Sequence, residues 1–358
     1  MIGSIYLHEL NYWLKKPIIY VYFAVFFSFS LISFLGSGGY FDEPIKASER
    51  IRLLNSPHEL NYLFQYIGKL FLFLIPAIIG TSIYKDFRYK VHSILYSYPF
   101  DKKAYLTGKF LASFSIVTFI SLSAAFAFLI GEWLLGETNP KIGIVNGYAY
   151  LQAYLVFLLP NLFVFGVFVF AIVALSRSIY SGFIVVISLF LIQLISENAF
   201  QGNNFLIALS DPFGQNAVSF ETQLWTLSEQ NSKLIPFFGP VLYNRFFWLS
   251  TTILFTLGLF KAFTLSQNGF QFYFLKPKIV RKFEQSKSQG LNTSQSEVVF
   301  DFSFKQQIRL SWKLSTFDFK FVVFSPMFII FSALGILSVV FMLLRVTQNG
   351  ELLMLPLT

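Results

Sequence analysis

The chain has 358 residues, 55% of them hydrophobic and only 13% charged, at a mean hydropathy of +0.62. A soluble domain carries roughly a quarter charged residues, so the composition excludes an ordinary soluble protein and indicates an integral membrane protein. The absence of cysteine excludes disulfides, thiol catalysis and cysteine-ligated metals. The net charge of +9 reads as Lys- and Arg-rich cytoplasmic loops, not as a nucleic-acid partner.

In chain order, residues 1–16 form an amphipathic stretch (Ile5, Tyr6, Leu10, Trp13, Leu14) that carries Glu9 and stops at Pro17. No small-residue cleavage site follows, so this is not a signal peptide. It reads as an elbow helix lying in the membrane plane and turned inward at the proline. A span takes about 20 apolar residues. Seven stretches qualify, at about 18–36, 62–83, 105–130, 149–175, 179–197, 246–265 and 326–345. They are long and do not alternate, which excludes a barrel. Pro76 and Pro160 fall inside spans and are expected to kink them. Lys69 sits about eight residues into its span. It either snorkels to the interface or lines a pathway, with Glu197 its nearest partner by depth.

Between the second and third spans lies a polar insert, residues 84–103. Phe87, Val91, Ile94, Leu95 and Tyr98 recur at one-face helical spacing, Lys85, Arg88, Lys90 and His92 lie largely off that stripe, and Pro99 closes it. This predicts one short amphipathic helix with a basic free side. The segment from Glu197 to Arg245 is too long for a plain turn. With Asp211-Pro212-Phe213-Gly214, Trp225 and Pro236-Phe237-Phe238, it is expected to dip into the outer interface.

Charge orients the bundle. With the N-terminus inside, cytoplasmic segments hold Lys15, Lys16, Lys85, Arg88, Lys90, Lys102, Lys103, Lys109, Arg177 and nine cations from Lys276 to Lys320. Outer segments hold little beyond Lys46, Arg50, Arg52, Lys141 and Lys233, so a cytoplasmic N-terminus is expected. Residues 266–304 read as a cytoplasmic linker, with Lys276, Lys278, Arg281 and Lys282 set against anionic lipid headgroups and a polar, disordered middle. Asp318 precedes Pro326 by the same eight residues that separate Glu9 from Pro17. Residues 305–358 therefore read as a second elbow helix and a seventh span, opening a second half. The expected fold is all-α and integral to the membrane, with a six-span bundle at 1–265.

Several chemistries are missing. His8-Glu9-Leu10-Asn11-Tyr12 and His58-Glu59-Leu60-Asn61-Tyr62 each give half of a zinc-peptidase helix, but Tyr holds the second ligand position. No metal site, no phosphate-binding loop and no Ser/His/Asp set is readable, so no catalytic residue is assigned.

The elbow stretch, six spans and amphipathic insert together resemble the permease subunit of ABC-2-type ABC transporters. In that family the insert reads basic-acidic-aromatic, then Pro, a basic pair, an aromatic and Gly-Lys/Arg. Lys85-Asp86-Phe87, Pro99, Lys102-Lys103, Tyr105 and Gly108-Lys109 stand at those places here. Arg88 and Ser93 occupy positions where the family often has acidic residues. More narrowly, Tyr150-Leu151-Gln152, Leu159-Pro160-Asn161-Leu162, Leu209-Ser210-Asp211-Pro212-Phe213-Gly214, Trp225-Thr226, Pro236 and Asn244-Arg245-Phe246-Phe247-Trp248 resemble the permease part of Bacteroidota proteins fused to an M1-type aminopeptidase domain. The peptidase motif itself is not in these residues.

The resemblance implies a multi-pass protein of a bacterial inner membrane, non-catalytic itself, working as a homodimer or with a second permease. A separate cytosolic ATPase would bind ATP and Mg and dock on Lys85, Asp86, Phe87, Arg88, Val91, Ile94, Leu95, Tyr98, Pro99, Lys102 and Lys103, driving export. The competing expectation is a membrane anchor that displays an outer peptidase-like domain without transport. A proton-coupled transporter ranks last, since the spans hold almost no acidic residues.

Overall fold

The computed structural model describes residues 1–41, 52–95, 101–136, 139–200 and 202–265, together with a few positions between 303 and 316. The chain divides into two compact units, Met1–Leu275 and Lys276–Thr358. In the second, the described residues include a helical stretch at 309–313. The linker at 266–304 (but for Ser303), Asp318, Pro326, the seventh span, Tyr98 and Pro99 lie outside the described residues.

Every regular element described is a helix, and the fold is an integral membrane helical bundle. Helix α1 (Ile2–Leu14) ends at Lys15. Lys16 is extended (ψ 122°), and Pro17 opens α2 (Pro17–Ser37) at the one helical position where a missing N–H costs nothing. One extended residue, Lys16, thus separates α1 from the first span. Helix α3 (Pro57–Ile75), a π-turn (Pro76–Gly80) and α4 (Thr81–Arg88) run on as one 32-residue span. A short α5 (His92–Leu95) follows, then α6 (Lys102–Leu135), which Asp101 caps through the amides of Lys103 and Ala104. Helix α7 (Gly147–Gln152), a second π-turn (Ala153–Leu158) and α8 (Leu159–Ser176) make the next span, and α9 (Ile179–Ala199) the one after.

Among the described residues five helices are long and apolar enough to cross a membrane. The last helix among the described residues of this unit, α13 (Gly239–Ala262), has the length at 24 residues but carries Arg245 and Lys261 and is less apolar. Two π-turns interrupt these spans near the prolines, one starting at Pro76 and one ending two residues before Pro160. Pro160 donates no amide and crowds the carbonyl of Val156 one turn back, and the wider turn that contains Val156 relieves that clash.

The core lies between the long helices and is aromatic: Phe34, Phe64, Phe71, Phe128 and Phe165 are fully buried. Phe26 stacks on Phe71 at 4.2 Å, and Phe64 meets Phe128 edge-on at 4.9 Å. The outward faces of α2, α9 and α13 stay apolar, with Val25, Ile32, Ile195, Ile253 and Leu254 all more than half exposed, as lipid contact requires. Helix α1 lies along α6, and Gly108 permits the approach. A Cβ there would stand 2.9 Å from Ile5 and 3.2 Å from the Ile2 carbonyl.

Candidate functional site

At the end of the bundle carrying the N-terminus, α1, α4 and α6 meet in a buried ionic cluster. Ser82, Lys85 and Asp86 fall at i, i+3 and i+4 on one face of α4, and Tyr105 and Lys109 at i and i+4 on α6, so each helix offers one polar stripe. Glu9 of α1 enters between them, 3% exposed. Its Oε1 accepts from Lys85 Nζ at 2.6 Å and Ser82 Oγ at 3.1 Å, and its Oε2 lies 3.6 Å from Lys109 Nζ. Lys109 Nζ in turn reaches Asp86 Oδ2 at 2.8 Å and donates to the Ser82 carbonyl at 2.9 Å. The Tyr105 hydroxyl donates to Asp86 Oδ2 at 2.6 Å. Lys85 Nζ also stands 3.6 Å from the centre of the Tyr12 ring. Two ammonium groups thus face two carboxylates, and each buried charge is compensated by direct partners.

The insert departs from the single amphipathic helix expected at 84–98. Helix α4 stops at Arg88, Lys90 adopts a left-handed backbone (φ 57°), and a new turn of helix starts at His92. The break divides the apolar stripe. Lys85 and Asp86, expected on the docking surface, turn inward to Glu9, Lys109 and Tyr105. Phe87 packs against the core beneath the Arg177 guanidinium, 4.9 Å from its ring centre. Arg88, Tyr89, Val91 and Ile94 face outward, with Tyr89 67% and Ile94 65% exposed. Leu95 closes α5, Lys102 is half-buried at the start of α6, and Lys103 is exposed. Of the elbow residues, Glu9 lies in the cluster and Pro17 at the first position of α2.

A second polar assembly involves the segment after α9. It folds as α10 (Asn204–Ser210) and α11 (Gln215–Thr222), a hairpin whose turn, Asp211-Pro212-Phe213-Gly214, is buried. A third short helix, α12 (Leu227–Ser232), follows, opened by a Thr226–Glu229 capping box. Arg245 holds the turn: one guanidinium nitrogen donates to Asn161 Oδ1, the other to the Phe213 carbonyl at 2.9 Å. Asn161 Nδ2 donates to the same carbonyl at 2.9 Å, and Asn244 donates to the carbonyls of Ala208 and Asp211 at 2.8 Å. Asp211 accepts the amides of Phe213 and Asn216. Burial raises its carboxyl above the usual carboxylate range, against the pull of those amides and of Lys69 and Arg245.

Helix α11 lies against α3 through three polar contacts: His58 with Thr222 (3.3 Å), Tyr62 with Ser219 (2.6 Å) and Lys69 with Gln215 (2.9 Å). Lys69 therefore bonds Gln215, not Glu197. Glu197 accepts from Gln193 and from Asn216, so the two charges meet only through neighbouring side chains.

Ser82 and the pairing roles of Glu9 and Lys109 escaped the sequence reading, as did the clamp made by Asn161 and Arg245. A periodic polar stripe at Ser82, Lys85 and Asp86 was the one local signal. Among the described residues, no three His, Asp or Glu side chains gather as a metal would require.

No curated protein and no solved structure matches the chain. The stretch 58–213, just under half of the chain, matches the model of a family described as ABC-2 family transporter protein. It runs from the start of α3 to the α10–α11 turn and takes in Lys85, Asp86, Tyr105, Lys109 and Asn161; the match supports reading the chain as an ABC-2-type permease.

Proposed function

We propose that the chain is the membrane-spanning subunit of an ABC-2-type exporter, energised by a separate cytoplasmic ATPase that docks on the exposed residues Arg88, Tyr89, Val91 and Ile94 following α4. The N-terminus is then cytoplasmic, the membrane is a bacterial inner membrane, and two such subunits work as a pair. The resemblance to permeases fused to an aminopeptidase belongs to the same reading. Substrate identity is not part of it.

The observation that carries the proposal is the ionic cluster. Arg88, Tyr89, Val91 and Ile94 present a basic and apolar face suited to a groove on a partner. Two and three residues back along the chain from Arg88, Asp86 and Lys85 are bonded to the third span and to α1. A push on the exposed face would be passed to three helices through short, fully bonded contacts.

The test is co-purification of the ATPase from native membranes in mild detergent. The double substitution Val91→Asp/Ile94→Asp is expected to abolish capture while the protein still folds, since both side chains lie outside the core. Capture at the level of the unaltered chain would remove the docking assignment.

A further inference from the structure

At the end of the bundle opposite the N-terminus, Glu132 is 6% exposed and close to the end of α6. Its Oε1 accepts from Asn55 Nδ2 at 2.7 Å and its Oε2 from the Tyr150 hydroxyl at 2.5 Å. No Lys, Arg or His among the described residues makes an ion pair with it, unlike Glu9 and Asp86 at the other end. A carboxylate offers about four acceptor positions, and among the described residues these two bonds are the ones made to it. A buried acid without a cation is costly unless something supplies the charge.

Glu132 is also among the residues lining a cleft of about 830 Å³, whose other walls include Leu129, Trp133, Ile142, Ile144 and Val145. Trp133 is 79% exposed and offers an open indole face. One carboxylate, one accessible indole and an aliphatic wall are the elements that receive an organic ammonium: the carboxylate bonds or neutralises it, the indole attracts it through its π-face, and the wall takes the attached apolar body. Asn55 also fixes the cleft wall, exchanging hydrogen bonds with the Gly143 amide and carbonyl at 2.8 Å each. The receptor is therefore formed before any ligand arrives.

We infer that this cleft is a binding site for an amphipathic organic ammonium, with Glu132 as counter-ion and Trp133 as the aromatic face. The inference does not depend on how the protein is energised. The ammonium could come from a free amine or from an aminolipid headgroup; both share the chemistry.

The test uses the full chain in phosphatidylglycerol nanodiscs and two probes of one shape, 4-phenylbutylamine and the neutral 4-phenylbutanol, compared by calorimetry. Glu132→Gln removes the charge yet can keep both bonds, because its carboxamide accepts from Asn55 and donates to the Tyr150 oxygen. Affinity for the amine is expected to fall about tenfold or more while the alcohol is bound as before. Leu129→Lys, one helical turn away on the same wall, places a tethered ammonium beside Glu132 and is expected to exclude the amine likewise. Equal amine binding by the parent and both variants, or equal loss of both probes, would overturn the site. Nanodiscs containing phosphatidylethanolamine separate the sources: competition assigns the ammonium to the lipid headgroup, no competition to the free amine.

Discussion

Glu9 is held by two ammonium groups and a hydroxyl, and its loss would leave Lys85 and Lys109 buried with only Asp86 between them. Glu9→Ala should therefore destabilise by about 3–5 kcal/mol, far beyond an exposed substitution. Removing a cation as well, in Glu9→Ala/Lys85→Ala, restores the balance of charge and should cost less than the two single losses added. Unfolding midpoints of the four proteins in a denaturant series give the coupling; strict additivity would mean the cluster does not act as a unit. Gly214 makes a second sharp case. Its φ of +75° suits glycine, and an added Cβ would fall 2.0 Å from Arg245 Nη2. Gly214→Ala adds about 1–2 kcal/mol of backbone penalty and must also displace Arg245 from Asn161 and the Phe213 carbonyl. A clear fall in melting temperature and folded yield is expected, and an unchanged melting temperature would count against the clamp.

At the scale of elements, the elbow helix is held to α6 by the close approach at Gly108, by Tyr6 with Ser115 (3.2 Å) and by the Glu9 cluster. Gly108→Leu should drive Ile5 away and loosen α1. Lys15 and Lys16, just past its end, give a direct reading: trypsin cleavage there should accelerate several-fold, ahead of cleavage elsewhere in the chain. Cleavage at the parent rate would show that α1 does not need the close approach. The long elements were legible beforehand because length and apolarity are local properties. The expected spans at 18–36 and 179–197 lie within α2 and α9, and Pro17 marks the elbow. The pairing of Glu9 with Lys85, across 76 positions, has no local signature, and neither does the hold of Arg245 on Asn161 across 84. The insert misled for the opposite reason. Its stripe has helical spacing, but Asp86 is drawn inward by Lys109 and Tyr105, and the chain must turn at Lys90 to bring α6 back beside α4.

For the whole molecule, orientation can be read directly because the chain contains no cysteine. Tyr89→Cys and Ile144→Cys replace side chains 67% and 97% exposed, at opposite ends of the bundle. In intact cells a membrane-impermeant maleimide should label only Ile144→Cys, and Tyr89→Cys should react only after permeabilisation. The reverse pattern would invert the topology. The span of α3, π-turn and α4 runs between the two ends: His58, Tyr62 and Lys69 meet α11 on one part, and Ser82, Lys85 and Asp86 meet Glu9 and α6 on the other. The π-turn at Pro76–Gly80 sets the phase between these two sets of side chains. A π-turn holds one residue more than an α-turn, and each residue advances a helix by about 100°. If that turn tightened to a regular one, α4 would rotate by that amount relative to α3, and one helix could no longer serve both sets of partners.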